Sequence, residues 1–434
     1  IATIDLHVTD GAKFEHDVSI TLEPVYSGDD ALRQLGLALR TSLIEDLTRQ
    51  GSLPLPLADG SVLPVDKALA VESKYFATLL THPVARNLTR TMFVGKGEAD
   101  KLARRPPNVP KAVVTRVGVL GAGMMGSGIA YCAARAGMTV VLVDSTLDQA
   151  EKGKDYSRRL LAKEVERGAS TREAADAVLE RIVTSVGYEQ LRGCELVIEA
   201  VFEDRKIKAE VTRAAEAAML KSGVFASNTS TLPITGLAEN SSRPDRFIGL
   251  HFFSPVDRMG LVEVIVGKRT SKATIAHALD FVGQLRKTPI VVNDSRGFYT
   301  SRVFGFYCHE GMRLLEEGVA PALIENAGRM AGMPVGPLAV SDEVSIELLW
   351  KVIHQGEVDL GDKYVKPAGY EVVRRFVHEL DRGGRKFGRG FYDYPEGGRK
   401  RLWAGLAKLY PVRAEQPSLE EVKDRLLYVQ AMET

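Results

Sequence analysis

Apolar and polar residues alternate at the start of the chain. Ile4, Leu6 and Val8 are followed by Phe14, Val18, Ile20 and Leu22, on either side of Thr-Asp-Gly at 9–11. A period of two interrupted by a turn predicts a β-hairpin with one apolar face. The period then lengthens to that of a helix near 29–50 and again near 65–92. Clustered basic residues and three prolines in KLARRPPNVPK, 101–111, mark a domain boundary.

Beyond that boundary, short β-branched runs alternate with helical stretches. RVGVL, TVVLVD, LVIEA, VFASN, RFIGLHFF, LVEVI and PIVV read as strands. Such alternation predicts an α/β fold, a Rossmann-type parallel doubly wound sheet. The charged segment 147–180, broken at RGAST, reads as a helical hairpin inserted after the second strand. From Ser301 onward the strand signal fades, and an all-α C-terminal domain is expected. The predicted organisation is a small α+β N-terminal segment over 1–110, the sheet domain over 111–295 and the helical domain over 296–412. RVFGFYCHEG (302–311) and RLLYVQAMET (425–434) share Arg and Glu at equal spacing, so 413–434 reads as the start of a truncated second helical domain. A chain that opens on Ile1 and closes inside an amphipathic pattern is expected to be a fragment or a processed chain.

Composition narrows the possibilities. The 434 residues are 45% hydrophobic and 26% charged, an ordinary globular balance. A net charge of +1 gives no global field to recruit nucleic acid or an anionic membrane, so neither is an expected partner. No apolar run approaches the roughly 20 residues of a membrane span. Cys132, Cys194 and Cys308 are few and unevenly spaced, which fits free thiols in a reducing, cytoplasmic setting.

The segment RVGVLGAGMMGSGIAYCAARAGMTVVLVD carries Gly121, Gly123 and Gly126 between a strand and a helix, with Asp144 ending the next strand. Gly121 permits the tight turn, Gly123 lets backbone approach a pyrophosphate, and Gly126 lets helix and strand pack closely. The helix N-terminus faces the phosphates. Asp144, 23 residues after Gly121, can accept from ribose hydroxyls, and no arginine follows to greet a 2′-phosphate. The expected cofactor is NAD rather than NADP.

Three polar groups lie in or beside later strands: Ser230 in SNTST, His251 in LHFFSP and Glu263 in LVEVI. A carboxylate inside an apolar strand needs a donor. In one chemistry His251 is a general base, and Glu263 orients the imidazole and stabilises its cation. In another, Ser230 is the nucleophile of a Ser-His-Glu hydrolase. The second lacks a G-x-S-x-G elbow and leaves the nucleotide site idle, so hydride transfer is favoured. SNTST also reads as turn chemistry at a strand end.

GVLGAGMMGSGIA, IEAVFEDRKIK, ASNTSTLPI, GLHFFSPVDRMGLVEVI and KTPIVVNDSRGFYTSR together resemble L-3-hydroxyacyl-CoA dehydrogenases, most closely the dehydrogenase part of the multifunctional α-subunits of fatty-acid β-oxidation. The resemblance runs from about Val65 to the end. It implies NAD-dependent oxidation of (3S)-3-hydroxyacyl-CoA to 3-oxoacyl-CoA, without a metal. By its motifs His251 and Glu263 match the catalytic pair, Ser230 the serine near the substrate hydroxyl, and Met125, Asp144, Val201, Glu203 and Lys208 cofactor-contacting positions. It also implies a homodimer-like packing of the helical domain and a thiolase subunit as partner.

Three departures stand out. Ser254 replaces the asparagine of HFFNP on the cofactor side, Ser301 replaces the asparagine near the substrate, and residues 1–64 lack a glycine-rich, glutamate-bearing hydratase motif. Lys154, Arg158, Arg159 and Arg167 on the inserted hairpin are candidates for the coenzyme A phosphates, or simply a solvated face. Dehydrogenation of free 3-hydroxy acids and a subunit that binds NAD without turnover are the alternatives.

Overall fold

Short runs of Val, Ile and Leu become strands when helices can cover both of their faces. The computed structural model of the chain describes residues 2–9, 15–22 and 65–434. β1 (Ala2–Thr9) and β2 (Glu15–Leu22) pair antiparallel with Ile4 opposite Ile20, which is the expected hairpin. The helical pattern near 29–50 lies outside the described residues. The pattern over 65–92 becomes the helix Val65–Thr81, a second helix Pro83–Leu88 and a π-helical stretch Thr89–Gly95. Pro83 ends the first helix and opens the second, since it has no N–H to donate inward.

Glu98–Phe304 form one compact unit, and Gly305–Glu433 belong to the other. The first contains β3 (Arg116–Leu120), β4 (Thr139–Val143), β5 (Ile182–Ser185), β6 (Leu196–Glu199), β7 (Val224–Ser227), β8 (Phe247–Phe252), β9 (Leu261–Val266) and β10 (Thr288–Asn293). They make one sheet in the order β10-β9-β8-β7-β6-β3-β4-β5. Alternate residues face opposite sides: Val117, Val119, Val140 and Leu142 fill one apolar layer, while Leu120, Val141, Val143 and Val197 fill the other. Each such side chain contributes about 1.5–3 kcal/mol by leaving water. The inserted hairpin is present as helices Leu147–Glu166 and Arg172–Glu180, with Thr146 and Thr171 as N-caps.

Two details differ from the pattern read in the sequence. The short run Ile182–Ser185 is an additional edge strand, parallel to β4. And β9 runs antiparallel to β8, with β10 parallel to β9. The connection 253–260 is too short for a parallel crossover, which needs a dozen or more residues. The reversal matters, because it puts His251 directly opposite Glu263 in the ladder.

The proline-rich linker is tied to the sheet unit. Arg105 grips Asp280 with two hydrogen bonds of 2.7 and 2.9 Å, and the same carboxylate accepts from the Ala112 amide at 2.8 Å.

The second unit is mainly helical, with helices such as Pro321–Met330, Pro337–Val344, Ile346–Leu360 and Tyr370–His378. Between Gly305 and Glu433 it also holds one short antiparallel pair, Tyr392–Asp393 with Arg401–Leu402. The helix Leu419–Glu433, expected to begin a separate domain, instead places Val422 and Leu426 in the core of this unit with Phe376 and Phe391. Arg425 holds it there through Glu310 at 2.6 Å and Glu317 at 2.5 Å. No described helix is long and apolar enough to cross a membrane.

Candidate active site

β3, β6, β7 and β8 are parallel, so their carboxyl ends open on one edge of the sheet. At the end of β3 the chain turns through Gly121 (φ +91°) into the helix Met124–Arg135. A Cβ on Gly121 would lie 2.7 Å from the Ala200 oxygen, and one on Gly126 only 1.7 Å from the Gly121 oxygen. Both positions therefore require glycine. A Cβ on Gly123 would meet nothing within 4 Å, so the space beside the helix N-terminus is open to a ligand. Unsatisfied first-turn amides beside such a space favour phosphate oxygens.

Asp144 stands just beyond β4. Its carboxylate accepts from the Ala122 amide at 2.6 Å and from the Ser145 amide at 2.6 Å. A carboxylate has about four acceptor sites, so it can hold the turn and still accept from a ribose diol. Asp144→Ala is expected to weaken NADH binding and to narrow the preference over NADPH. Cofactor titrations check this, and an unchanged ratio would mean that Asp144 serves the turn alone.

Val201, Glu203 and Lys208 follow β6. Lys208 is buried, with Nζ 3.0 Å from both oxygens of Glu199 and 3.2 Å from Glu203. All three of its donors are occupied, which makes it a support behind the loop rather than an exposed contact. Glu203 accepts from the Thr229 hydroxyl at 2.6 Å and the Ser230 amide at 3.1 Å. These bonds, with Thr229 accepting from the Leu232 amide at 3.0 Å, build the turn after β7. None of them uses the Ser230 hydroxyl, and Ser230 stays half-buried at the strand end. Met125 packs against the core, whereas Met124 is 69% exposed and its sulfur lies 3.5 Å from the Ser254 hydroxyl. Met124 is thus the more exposed of the two, and Met125 is partly buried beside it.

A buried ionisable pair bridges β8 and β9. His251 Nδ1 lies 2.6 Å from Glu263 Oε2, and both residues are buried. Glu263 has further donors that the sequence did not reveal. Its Oε1 accepts from the Tyr299 and Thr300 amides at 3.1 and 2.9 Å, and its Oε2 accepts from the Thr300 hydroxyl at 2.7 Å. Burial pushes the Glu263 carboxyl up, but the bonds from His251 and Thr300 outweigh it and hold the group below the usual carboxylate range. An ionised Glu263 can only accept, so Nδ1 carries the proton and Nε2 is the basic nitrogen. Phe253 and Phe298 flank the ring, at centroid distances of 4.5 and 6.1 Å. Ser301 follows Thr300 at the start of the helix Thr300–Glu316. Asn228, a buried residue not singled out in the sequence, accepts from the Phe252 amide at 2.9 Å and ties β7 to β8 beside His251.

A cavity of about 800 Å³ opens in the same unit, lined by Arg135, Lys163, Arg167, Arg258 and Arg286. Glu164 and Asp257 also line it. Of the four basic residues singled out on the hairpin only Arg167 lines this cavity, while Arg158 pairs with Asp155.

Comparison with known proteins agrees with this geometry. The family model for the NAD-binding domain of 3-hydroxyacyl-CoA dehydrogenase matches residues 116–295, and that for the C-terminal domain of the same enzymes matches residues 297–394. The fatty acid oxidation complex subunit alpha of Shewanella amazonensis is 37% identical over 358 residues, 81% of this chain and 50% of that protein. The chain thus spans about half the length of the curated relatives it matches. The crystal structure of (S)-3-hydroxybutyryl-CoA dehydrogenase from Ralstonia eutropha is 35% identical with a TM-score of 0.62, covering 65% of this chain and 100% of its own. That of 3-hydroxybutyryl-CoA dehydrogenase from Escherichia coli is 31% identical with a TM-score of 0.62, covering 67% and 61% respectively.

Proposed function

The chain belongs to the 3-hydroxyacyl-CoA dehydrogenase family of NAD-dependent oxidoreductases, and from this we propose that it oxidises (3S)-3-hydroxyacyl-CoA to 3-oxoacyl-CoA in fatty-acid β-oxidation. The observation that carries the reading is the buried His251–Glu263 pair at 2.6 Å, on the sheet edge where the Gly121–Gly126 turn also opens.

His251 Nε2 takes the proton of the substrate hydroxyl. Glu263 keeps Nδ1 protonated and balances the imidazolium that forms. NAD, when bound, supplies the hydride acceptor. Gly121, Gly123 and Gly126 make room for its pyrophosphate, Asp144 receives the adenosine ribose, and Val201, with Glu203 and Lys208 behind it, shapes the wall of the cleft. Met124, Met125 and Ser254 border the nicotinamide side. Ser230 and Ser301 face the substrate oxygen. Ser254 and Ser301 each offer a single hydroxyl where an asparagine would offer a two-donor amide, and a bridging water makes up the difference.

The family match favours a coenzyme A ester over a free acid, and the basic cavity, lined by none of the residues placed at the cofactor or the reacting oxygen, is a candidate for its phosphates. Arginines and a lysine around one opening suit phosphate groups, with Arg135 already oriented by Glu164 at 2.5 Å. The reactants and the free Cys132, Cys194 and Cys308 support a cytoplasmic setting. The relatives' description as subunits of a complex supports work beside a thiolase subunit, and the helical unit is the natural site of pairing with a second copy.

NADH oxidation with acetoacetyl-CoA and then with acetoacetate tests the substrate class. The CoA ester is expected to give a kcat/KM higher by at least about a hundredfold, roughly 2.7 kcal/mol of transition-state binding from the remote handle. Equal use of acetoacetate would point to free 3-hydroxy acids. NADH binding without turnover of either would point to a subunit that holds the cofactor without catalysis.

A further inference from the structure

Glu263 does not belong to His251 alone. Its Oε2 takes two donors, the imidazole at 2.6 Å and the Thr300 hydroxyl at 2.7 Å. Its Oε1 takes the Tyr299 and Thr300 amides at 3.1 and 2.9 Å. Those amides open the helix Thr300–Glu316, whose first turn has N–H groups without partners within the helix. A carboxylate from a neighbouring strand satisfies them and lies in the favourable field of the helix N-terminus. The negative charge that would otherwise be directed at the imidazolium is shared among these donors.

We infer that Thr300 is a positioning residue of the dehydrogenase reaction: its hydroxyl fixes the Glu263 carboxylate against Nδ1 and draws charge from the oxygen that His251 uses. The inference rests on His251 being the base.

The surroundings leave few other groups to set the charge. The strand partners of Glu263 are His251 on β8 and Ile290 on β10. The helix start contributes Tyr299 through its backbone, and Thr300. Phe253 and Phe298 face the imidazole. Among the described residues, His251 is the one titratable side chain bonded to the carboxylate. A threonine at this place is also stiff: branching at Cβ restricts χ1, so the hydroxyl holds one direction at little entropic cost. The interaction is strong for a neutral donor because the acceptor is ionised.

Thr300→Val keeps the shape and removes the hydroxyl, and Thr300→Ser keeps the hydroxyl and removes the methyl. Two readouts are needed, the acidic limb of the kcat–pH profile and the NMR titration of ring-labelled His251 in the substrate-free full chain, assigned by its loss in His251→Gln. In Thr300→Val both midpoints are expected to move up by about half a unit to one unit, because the imidazolium gains the undivided charge of Oε2. Thr300→Ser should restore both to within about a fifth of a unit of wild type. Unmoved or lowered NMR midpoints in Thr300→Val, or a serine variant that behaves as the valine one, would overturn the inference. An NMR midpoint that rises while the kcat limb stays fixed would uphold the Thr300–Glu263–His251 coupling and instead refute His251 as the base.

Discussion

His251→Gln should lower kcat by about a hundredfold to ten-thousandfold, the range that a positioned general base supplies, or roughly 2.7–5.5 kcal/mol of barrier. NADH affinity should change by no more than about threefold, because removing a group that acts in the transition state need not alter cofactor binding. The Gly121–Gly126 turn and Asp144 belong to β3 and β4, whereas His251 stands on β8, separated from β3 by β7 and β6. The glutamine amide can still donate to Glu263, which also keeps its bonds from Tyr299 and Thr300. The buried carboxylate is therefore not abandoned, and the fold should survive. Steady-state kinetics beside a fluorescence titration of NADH separate the two effects.

Glu263→Gln should be nearly as damaging, for a different reason. With its nitrogen toward the Tyr299 and Thr300 amides the new side chain sets donor against donor, and with its nitrogen toward His251 it can donate to Nδ1 only if the imidazole proton moves to Nε2. The imidazole then loses both the anion that stabilises its cation and the acceptor that fixes its tautomer, and a loss of about a hundredfold to ten-thousandfold in kcat is expected. The pH profile carries the sign. Burial raises Glu263, but the bonds from His251 and Thr300 prevail and hold its folded value below the ordinary one, so it stays anionic wherever an imidazole titrates. Without that anion the acidic limb of kcat should move to lower pH. Stability follows the same shift: a depressed carboxyl stabilises the fold above its unfolded value, about pH 4.3, and that contribution is lost as pH falls through the folded value. Denaturant titrations below about pH 4 should therefore show a smaller acid dependence in Glu263→Gln than in wild type.

How much of this was legible in the sequence depends on whether the cause was local. The dinucleotide turn was legible because the positive φ at Gly121 and the close approach at Gly126 each exclude a side chain, whatever surrounds them. The strands were legible from β-branched runs, and the inserted hairpin from its charged helical period. Ile182–Ser185 was missed because four residues after a helix give no measurable period. The antiparallel β9 was hidden in a βαβ-like rhythm, although the shortness of 253–260 carried the information. Long-range causes left no trace at all. Nothing in YTSR says that the Thr300 hydroxyl meets a carboxylate 37 residues earlier in the chain. Nor does the hairpin sequence say which basic side chains face a cavity; packing selects Lys163 and Arg167 for it. The closing helix was read as the start of a new domain from its likeness to 302–311, while its Arg425 is bonded to Glu310 of that very stretch.

The measurement that bears most directly on the whole account is NADH formation from NAD with (3S)-3-hydroxybutyryl-CoA, run beside the (3R) enantiomer and repeated with His251→Gln. The wild-type chain is expected to turn over the (3S) ester and little or none of the (3R) ester, and the variant to lose (3S) activity while retaining cofactor binding. Equal rates for the two enantiomers, or undiminished (3S) turnover by His251→Gln, would contradict this expectation.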